Sequence, residues 1–301
     1  MGSKSNQIPV NGWLVVNKTA GHTSSAIVQK LKWILNAQKA GHAGTLDPDA
    51  TGILAIALGE ATKTIPYLMN DLKSYIFTVS LGAATTTDDA SGRVINRSLI
   101  RPKDQEIIDA CKQFSGNIRQ VPPNVSAVKV NGERAYKVSG KGTRDLMLRA
   151  RNLWVEKLEL IERIDESNIR MQLRCGKGGY VRSIARDIGL TLGCFGHVAK
   201  LTRTSSGYFS LSDSVSDKYI FSEDVEKIRT HIRPIDWPLN NLNRYECSSK
   251  ELTKLKNGMT IDMGFSVSDE SITLVVYNET PIAIGNLNGQ KFFPKKVFKV
   301  I

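Results

Sequence analysis

The chain reads as an α+β protein with a mixed, largely antiparallel central sheet, flanking helices and a small β-rich C-terminal unit. Segments of period two and segments of helical period are interleaved without a regular βαβα rhythm. Neighbouring strands are often separated only by turns, which favours antiparallel pairing. A polar, Asn-rich stretch from Pro238 to Arg244 then sets off positions 245–301. That segment is small for an independent domain, so it is expected to pack on a main domain spanning 1–240.

The elements follow in order. Trp13 to Val16 is a short apolar run that reads as a buried strand. Thr23 and Ser24 offer N-cap oxygens, and Ile27, Leu31, Ile34 and Leu35 recur at helical spacing, so an amphipathic helix is expected there. From Tyr75 to Leu81 the period changes to two, with Tyr75, Phe77, Val79 and Leu81 on one side. Pro102 is expected to open a helix that carries Ile107, Ile108, Cys111 and Phe114 on one face and is closed by Gly116. Ile169, Met171, Leu173 and Cys175 alternate as a strand. After the Gly176–Gly179 turn, Val181, Ile184, Ala185, Ile188 and Leu192 mark another helix. Short strands are expected at Thr273–Tyr277 and Ile282–Ile284.

Lys and Arg outnumber Asp and Glu by 41 to 29, a formal charge of +12, which favours a polyanionic partner, nucleic acid being the commonest. The longest unbroken aliphatic stretch, Ile53 to Leu58, is far short of the ~20 residues that a spanning helix needs. The polar start of the chain lacks the apolar core of a signal peptide. Cys111, Cys175, Cys194 and Cys247 are scattered and form no Cys-x-x-Cys. This points to a reducing compartment, without disulfides or zinc. The expectation is a cytoplasmic protein with no metal and no membrane association, and a monomer by default.

The densest signal is Gly41-His42-Ala43-Gly44-Thr45-Leu46-Asp47-Pro48-Asp49-Ala50-Thr51-Gly52, followed by an apolar strand. Glycines allow tight turns and close approach to a ligand. Pro48 keeps Asp47 out of the α region. A carboxylate is thereby mounted on a stiff loop at the edge of a rigid core, as a catalytic group should be. On the residues alone, a turn in which Asp47 caps a backbone N–H fits equally well.

This loop resembles the catalytic motif of the TruB family of pseudouridine synthases, which includes the dyskerin-type enzymes. The resemblance covers nearly the whole chain. Gly12 to Lys18 with Gly21 and Thr23-Ser24 is similar to the N-terminal motif, except that Thr19 stands where Pro is usual. Gly59-Glu60-Ala61-Thr62-Lys63 is similar to the segment after the catalytic strand. Lys73-Ser74-Tyr75 with Thr87 to Gly92 is similar to the second motif, and Gly176 to Gly189 to the third, with Gly179 in place of Thr. Leu201-Thr202-Arg203-Thr204 resembles the end of the catalytic domain, with Thr202 replacing the first of two arginines.

The resemblance implies that Asp47 is the catalytic aspartate, that Tyr75 stacks on the target base and that Arg182 pairs with Asp47. It implies that His42, Tyr180 and Leu201 line the pocket, and that Lys18, Lys63 and Arg134 belong to the substrate-binding set. Pro122 to Tyr136 resembles the start of an RNA-gripping insertion, at about 124–151. Its stretch from Lys129 to Arg151 carries seven basic residues against Glu133 and Asp145. The last segment resembles a small PUA-like domain. The implied activity is isomerisation of the uridine at position 55, in the T-arm loop of tRNA, without a cofactor. A flipped base stacked on an aromatic ring is the expected recognition device.

Two other readings compete on the residues. A nucleoside hydrolase would use a second carboxylate, and Asp49 stands close by. An RNA-binding module or tRNA folding chaperone would need no chemistry at all. Within the family, a guide-RNA-dependent enzyme is the alternative to a stand-alone one.

Overall fold

The structure, a computed structural model, describes residues 10–68, 71–126, 128–130, 133–135 and 148–299. Along the chain run β1 (Gly12–Lys18), β2 (Ala40–His42), β3 (Thr51–Leu58), β4 (Lys73–Leu81), the hairpin β5 (Ala83–Thr85) and β6 (Val94–Arg97), and β7 (Gly116–Gln120). A two-strand pair follows, β8 (Lys129–Val130) and β9 (Glu133–Arg134). Then come β10 (Arg151–Arg163), β11 (Asn168–Cys175), β12 (Gly196–Ser206), β13 (Phe209–Ser210) and β14 (Val215–Ser216).

Ten of these strands form one sheet in the order β14-β1-β3-β12-β4-β11-β10-β7, with β13 on β12 and β2 on β3. Only β1–β14 and β3–β12 are parallel; every other pair is antiparallel. The α+β class with a largely antiparallel sheet is therefore present.

The two halves of the sheet meet at the parallel β3–β12 seam, where Thr202 faces Thr51 and Arg203 faces Gly52. Gly52 has φ +95°, and a Cβ there would lie 2.2 Å from the Arg203 carbonyl oxygen. Only glycine permits this approach.

The apolar run of β3 is buried on both faces because it has cover on both. Leu54, Ile56 and Leu58 pack beneath the helix Ser24–Ile34, against Ile27 and Leu31. Ile53 and Ala55 face the other way, onto Leu274, Val276 and Ile284 of the C-terminal unit. The helix starts as its residues suggest, with Thr23 Oγ1 accepting from the Ala26 amide. On the other half of the sheet, Phe77, Val79, Met171 and Leu173 pack against Ile184, Ala185 and Ile188 of the helix Val181–Thr191.

One helix face differs from expectation. The helix Asp104–Gln113 buries Ile107, Ala110 and Cys111 but leaves Ile108 40% exposed. It closes at Phe114, while Gly116, at φ +81°, opens β7. Ile108 lies one step round from Ile107, and a single sheet face covers only one stripe of the helix.

The C-terminal unit has β15 (Asn243–Glu246), the helix Ser249–Lys256, β16 (Ile261–Tyr277) and β17 (Thr280–Val297). The two expected short strands are parts of these long, irregularly paired ones. A small core of its own includes Leu255, Val275 and Phe292. Among the described residues no helix is long and apolar enough to cross a membrane.

A polar latch ties this unit to the segment after β3. Lys63 Nζ donates to Glu60 Oε2 at 2.5 Å and to the Val297 carbonyl at 2.7 Å, and the Lys299 amide donates to Glu60 Oε2 at 2.6 Å. Burial works to raise the Glu60 carboxyl, but these bonds outweigh it and hold it below its ordinary value. A depressed carboxylate stabilises the fold above its unfolded value and loses that contribution as pH falls through the folded one. Glu60→Gln is expected to lower unfolding stability by about 1–2 kcal/mol near neutral pH. In urea titrations at several pH values, the difference from the unsubstituted chain should shrink as Glu60 protonates.

Candidate active site

The loop between β2 and β3 is held almost entirely through its own backbone. Asp47 to Ala50 forms a turn, with the Ala50 amide donating to the Asp47 carbonyl at 3.1 Å. Ser24 Oγ accepts from the Leu46 amide at 2.8 Å and donates to the Leu46 carbonyl at 2.9 Å. Lys18, fully buried at the end of β1, donates to the carbonyls of Pro48 at 2.7 Å and Ala50 at 2.6 Å, and to that of Thr19 at 2.9 Å. From the other side, buried Arg203 donates to the carbonyls of Gly44 (3.0 Å), Thr45 (3.3 Å) and Ile53 (2.8 Å). Buried polar groups need partners, and here cations supply them.

Arg182 stands at the start of its helix and gathers three segments. Nε lies 3.0 Å from Asp47 Oδ2 and Nη2 donates to Asp47 Oδ1 at 3.3 Å, a two-point grip on the carboxylate. Nη1 donates to the Thr87 carbonyl at 3.0 Å and stands 3.4 Å from Asp89 Oδ2, while Nη2 also reaches the Val125 carbonyl at 3.0 Å. Asp89 is fixed in its turn by Thr87 Oγ1 and by the Ser91 amide and hydroxyl.

The Arg182 side chain is 7% exposed, whereas Asp47 keeps 43% exposure and remains open to a ligand. Although the side chain is open on one side, the protein atoms packed around the carboxyl strip it of water and push it above its ordinary value; Arg182 opposes this, and Asp89 and Asp49 add to it. The pull of Arg182 favours the ionised form, and the net shift is upward because burial outweighs it. A raised carboxylate is the better proton acceptor.

Around this pair sit the other expected residues. Tyr75 is 7% exposed and lies on β4 opposite Arg203 on β12, its hydroxyl against the guanidinium. Leu201 is half-buried on β12, opposite Phe77 of β4. Tyr180 is half-buried just before the Arg182 helix, and the Gln120 amide side chain clasps its backbone from both sides, at 2.9 and 3.1 Å. His42, on β2 beside β3, is half-buried with Nδ1 enclosed and without a hydrogen-bond partner among the described residues. Burial and the nearby Arg203 push its imidazole below the ordinary value, so the ring is neutral at neutral pH.

Two lysines make their bonds within the protein. Lys18 points inward and grips loop carbonyls. Lys63 belongs to the C-terminal latch, with its side chain 24% exposed. Arg134 pairs in backbone with Lys129, and its side chain lies outside the described residues. Asp49 is exposed in the turn, and the second carboxylate beside Asp47 is Asp89. Among the described residues, no group of three or more His, Cys, Asp or Glu could hold a metal.

The three departures from the family pattern each have local partners. Thr19 donates through both its amide and its hydroxyl to Asp217 Oδ2, at 2.6 and 2.9 Å, where a proline would offer neither. Thr202 bonds to Thr51 at 2.8 Å across the β3–β12 seam. A Cβ on Gly179 would meet Cys175 Sγ at 2.6 Å, so that turn takes glycine here.

Arg203, Ser24, Asp89 and Gln120 were not singled out as site residues from the sequence. Most of their bonds go to backbone atoms, which leave no trace in residue types. The available signal was a strongly basic residue inside an otherwise ordinary strand.

Lys18→Met should lower unfolding stability by about 2–4 kcal/mol, because it takes the ammonium from the Ala50 and Thr19 carbonyls and leaves Pro48 only the Gly21 amide. Urea denaturation checks this. A change below about 0.5 kcal/mol would mean that water replaces the ammonium.

Comparison with known proteins agrees with this geometry. Residues 32–181 match the family model described as TruB family pseudouridylate synthase (N terminal domain). Residues 182–240 match that described as tRNA pseudouridylate synthase B C-terminal domain. The chain is 47% identical to tRNA pseudouridine synthase B of Ruegeria pomeroyi, covering 96% of each chain. It is 49% identical to the protein of that name from Cereibacter sphaeroides, covering 97% of each. Among solved structures, it is similar to a chain in a Cbf5-Nop10-Gar1 complex (26% identity, TM-score 0.69, 96% of this chain and 84% of that one). A chain of an H/ACA RNP bound to a substrate RNA containing 2′-deoxyuridine shares the fold (23% identity, TM-score 0.71, 95% of this chain and 84% of that one). With an Asp47–Arg182 pair at the edge of a mixed sheet and family matches spanning most of its length, the chain belongs to the TruB family of pseudouridylate synthases.

Proposed function

We propose that this chain isomerises uridine to pseudouridine in tRNA, at position 55 in the T-arm loop, with Asp47 as the catalytic carboxylate. The observation that carries this is the two-point grip of a buried arginine on a carboxylate that stays open to a ligand. The base must leave the folded loop to reach Asp47, at a cost of a few kcal/mol offset by stacking and phosphate contacts. Tyr75, Tyr180 and Leu201 give the pocket two rings and an apolar wall for a flat uracil. Asp47 starts cleavage of the bond from C1′ to N1, by attack on the sugar or by removal of a sugar proton. The detached uracil turns within the pocket and rejoins through C5. Electrons balance without any redox partner, so no cofactor is required.

In this reading, positions 1–240 are the catalytic domain and about 124–151 an insertion that grips RNA through its basic residues. Arg182, Ser183 and Arg186 hold the entry to that insertion through the carbonyls of Val125 and Val121, which supports closure close to Asp47. Positions 245–301 are a PUA-like accessory unit. The protein acts as a metal-free monomer in the cytoplasm, and near-full-length similarity to enzymes named for tRNA supports a stand-alone rather than guide-dependent enzyme.

The test is an unmodified tRNA transcript carrying tritium at uridine C5. The unsubstituted chain should release tritium and no free uracil, and Asp47→Asn should lower the rate by at least about 10³-fold while still binding tRNA. Free uracil would indicate a hydrolase. Tight binding without release would indicate a guide-dependent enzyme or a binding module.

Since Asp47 must be ionised to act and its carboxyl is raised, the single-turnover rate should fall on the acid side at a pH above the ordinary aspartate value of 3.8. Asp89 contributes to that rise, so Asp89→Asn should move the acid limb to lower pH. A pH–rate profile of both proteins checks the direction. An unmoved limb would mean that another group controls it.

A further inference from the structure

Arg203 is 1% exposed and among the largest fully buried side chains of the protein. Its guanidinium is faced by three carbonyls and the Tyr75 phenol rather than by a carboxylate. Taking a charge out of water without a counter-ion is costly, and an apolar side chain could fill the same space on β12. What an apolar residue could not do is hold these three carbonyls while lying against the phenol of its cross-strand neighbour. Gly44 and Thr45 lie before Asp47 in the loop, Ile53 lies after it on β3, and Tyr75 lies on β4 on the far side of β12.

The planar fork thus ties the catalytic loop to the aromatic ring, across the one seam where the two halves of the sheet meet. Gly52 lets β3 close on the Arg203 backbone, and Gly44, at φ +123°, gives the loop the left-handed turn that carries its carbonyl to the guanidinium. Lys73 and His42 lie near enough to feel its charge, and in both it works with burial to lower the ordinary value. The cation is therefore set in a region already poor in counter-charge.

We propose that Arg203 is a positioning residue for the isomerisation, fixing the Asp47 loop and the Tyr75 ring in one mutual geometry without itself touching RNA. The inference rests on the functional reading given above. Small misplacements of reacting groups cost rate far more than they cost affinity. Lysine at this position keeps the charge but offers a point donor rather than a fork, so it can satisfy only part of the set.

The test uses the full-length protein, Arg203→Met and Arg203→Lys. Single-turnover tritium release, tRNA affinity by filter binding, melting temperature, and amide hydrogen exchange over positions 44–47 are measured for each. The expected result is a release rate at least about 100-fold lower in Arg203→Met, partly recovered in Arg203→Lys, with tRNA affinity within about threefold and faster exchange in the loop. A folded Arg203→Met that releases tritium at the unsubstituted rate overturns the proposal. So does a loss of rate matched by an equal loss of affinity. If Arg203→Met does not fold, Arg203→Lys decides alone: lowered rate at preserved affinity supports positioning, and an unchanged rate refutes it. If the unsubstituted chain releases no tritium, the functional reading falls, and loop exchange unchanged by either substitution then refutes positioning as well.

Discussion

Peptide carbonyls buried beside an active site need donors, and in this fold most of those around Asp47 receive them from cationic side chains reaching in from elsewhere. Lys18 comes from β1 and Arg203 from β12, Ser24 closes the set from the first helix, and Arg182, from the helix after β11, serves the neighbouring Thr87 and Val125 carbonyls. Apart from the Ala50–Asp47 turn bond, these contacts come from outside the loop, so its shape depends on the assembled sheet. The glycine at 52 allows the strands to approach, the cations fill the space that results, and the carboxylate is left standing at the open edge. Order is thereby imposed before any RNA arrives, which is the condition under which electrostatic and positional effects count most in catalysis.

The arrangement divides the protein into parts with different tasks. The sheet and its buried cations fix Asp47 and Tyr75. The helix Val181–Thr191 links that centre to the Thr87–Asp89 turn and to the base of the basic insertion. The C-terminal unit covers the outer face of β3 and is pinned by Glu60 and Lys63. It therefore supports the strand that leads away from Asp47 as well as extending the surface.

Much of the fold was legible because burial leaves a periodic trace. The alternation of Tyr75 to Leu81 and of Ile169 to Cys175 follows from one sheet face packing on a helix, and the unbroken run Ile53–Leu58 from cover on both faces. Ile108 misled because two adjacent isoleucines cannot share one narrow helical stripe. The Asp47 loop was recognisable by its glycines, its proline and its resemblance to a known motif. Lys18 and Lys63 read as substrate contacts because a lysine in a motif of an RNA-directed protein suggests a phosphate. Only the three-dimensional structure reveals the bonds that their ammonium groups make within the protein. Arg203 was illegible for the related reason that its partners are mostly carbonyls about 150 positions away in sequence, and any residue has a carbonyl.

The central claim is that the Asp47 loop is fixed by the folded sheet and not by the RNA. Crystal structures of the chain alone and bound to a T-arm stem-loop, superposed on β3 and β12, address it most directly. The backbone of 44–50 is expected to move by less than about 1 Å between them, with Lys18 and Arg203 keeping their carbonyl bonds in both. A loop that is displaced or unformed in the free chain and assembles only on the RNA would contradict it.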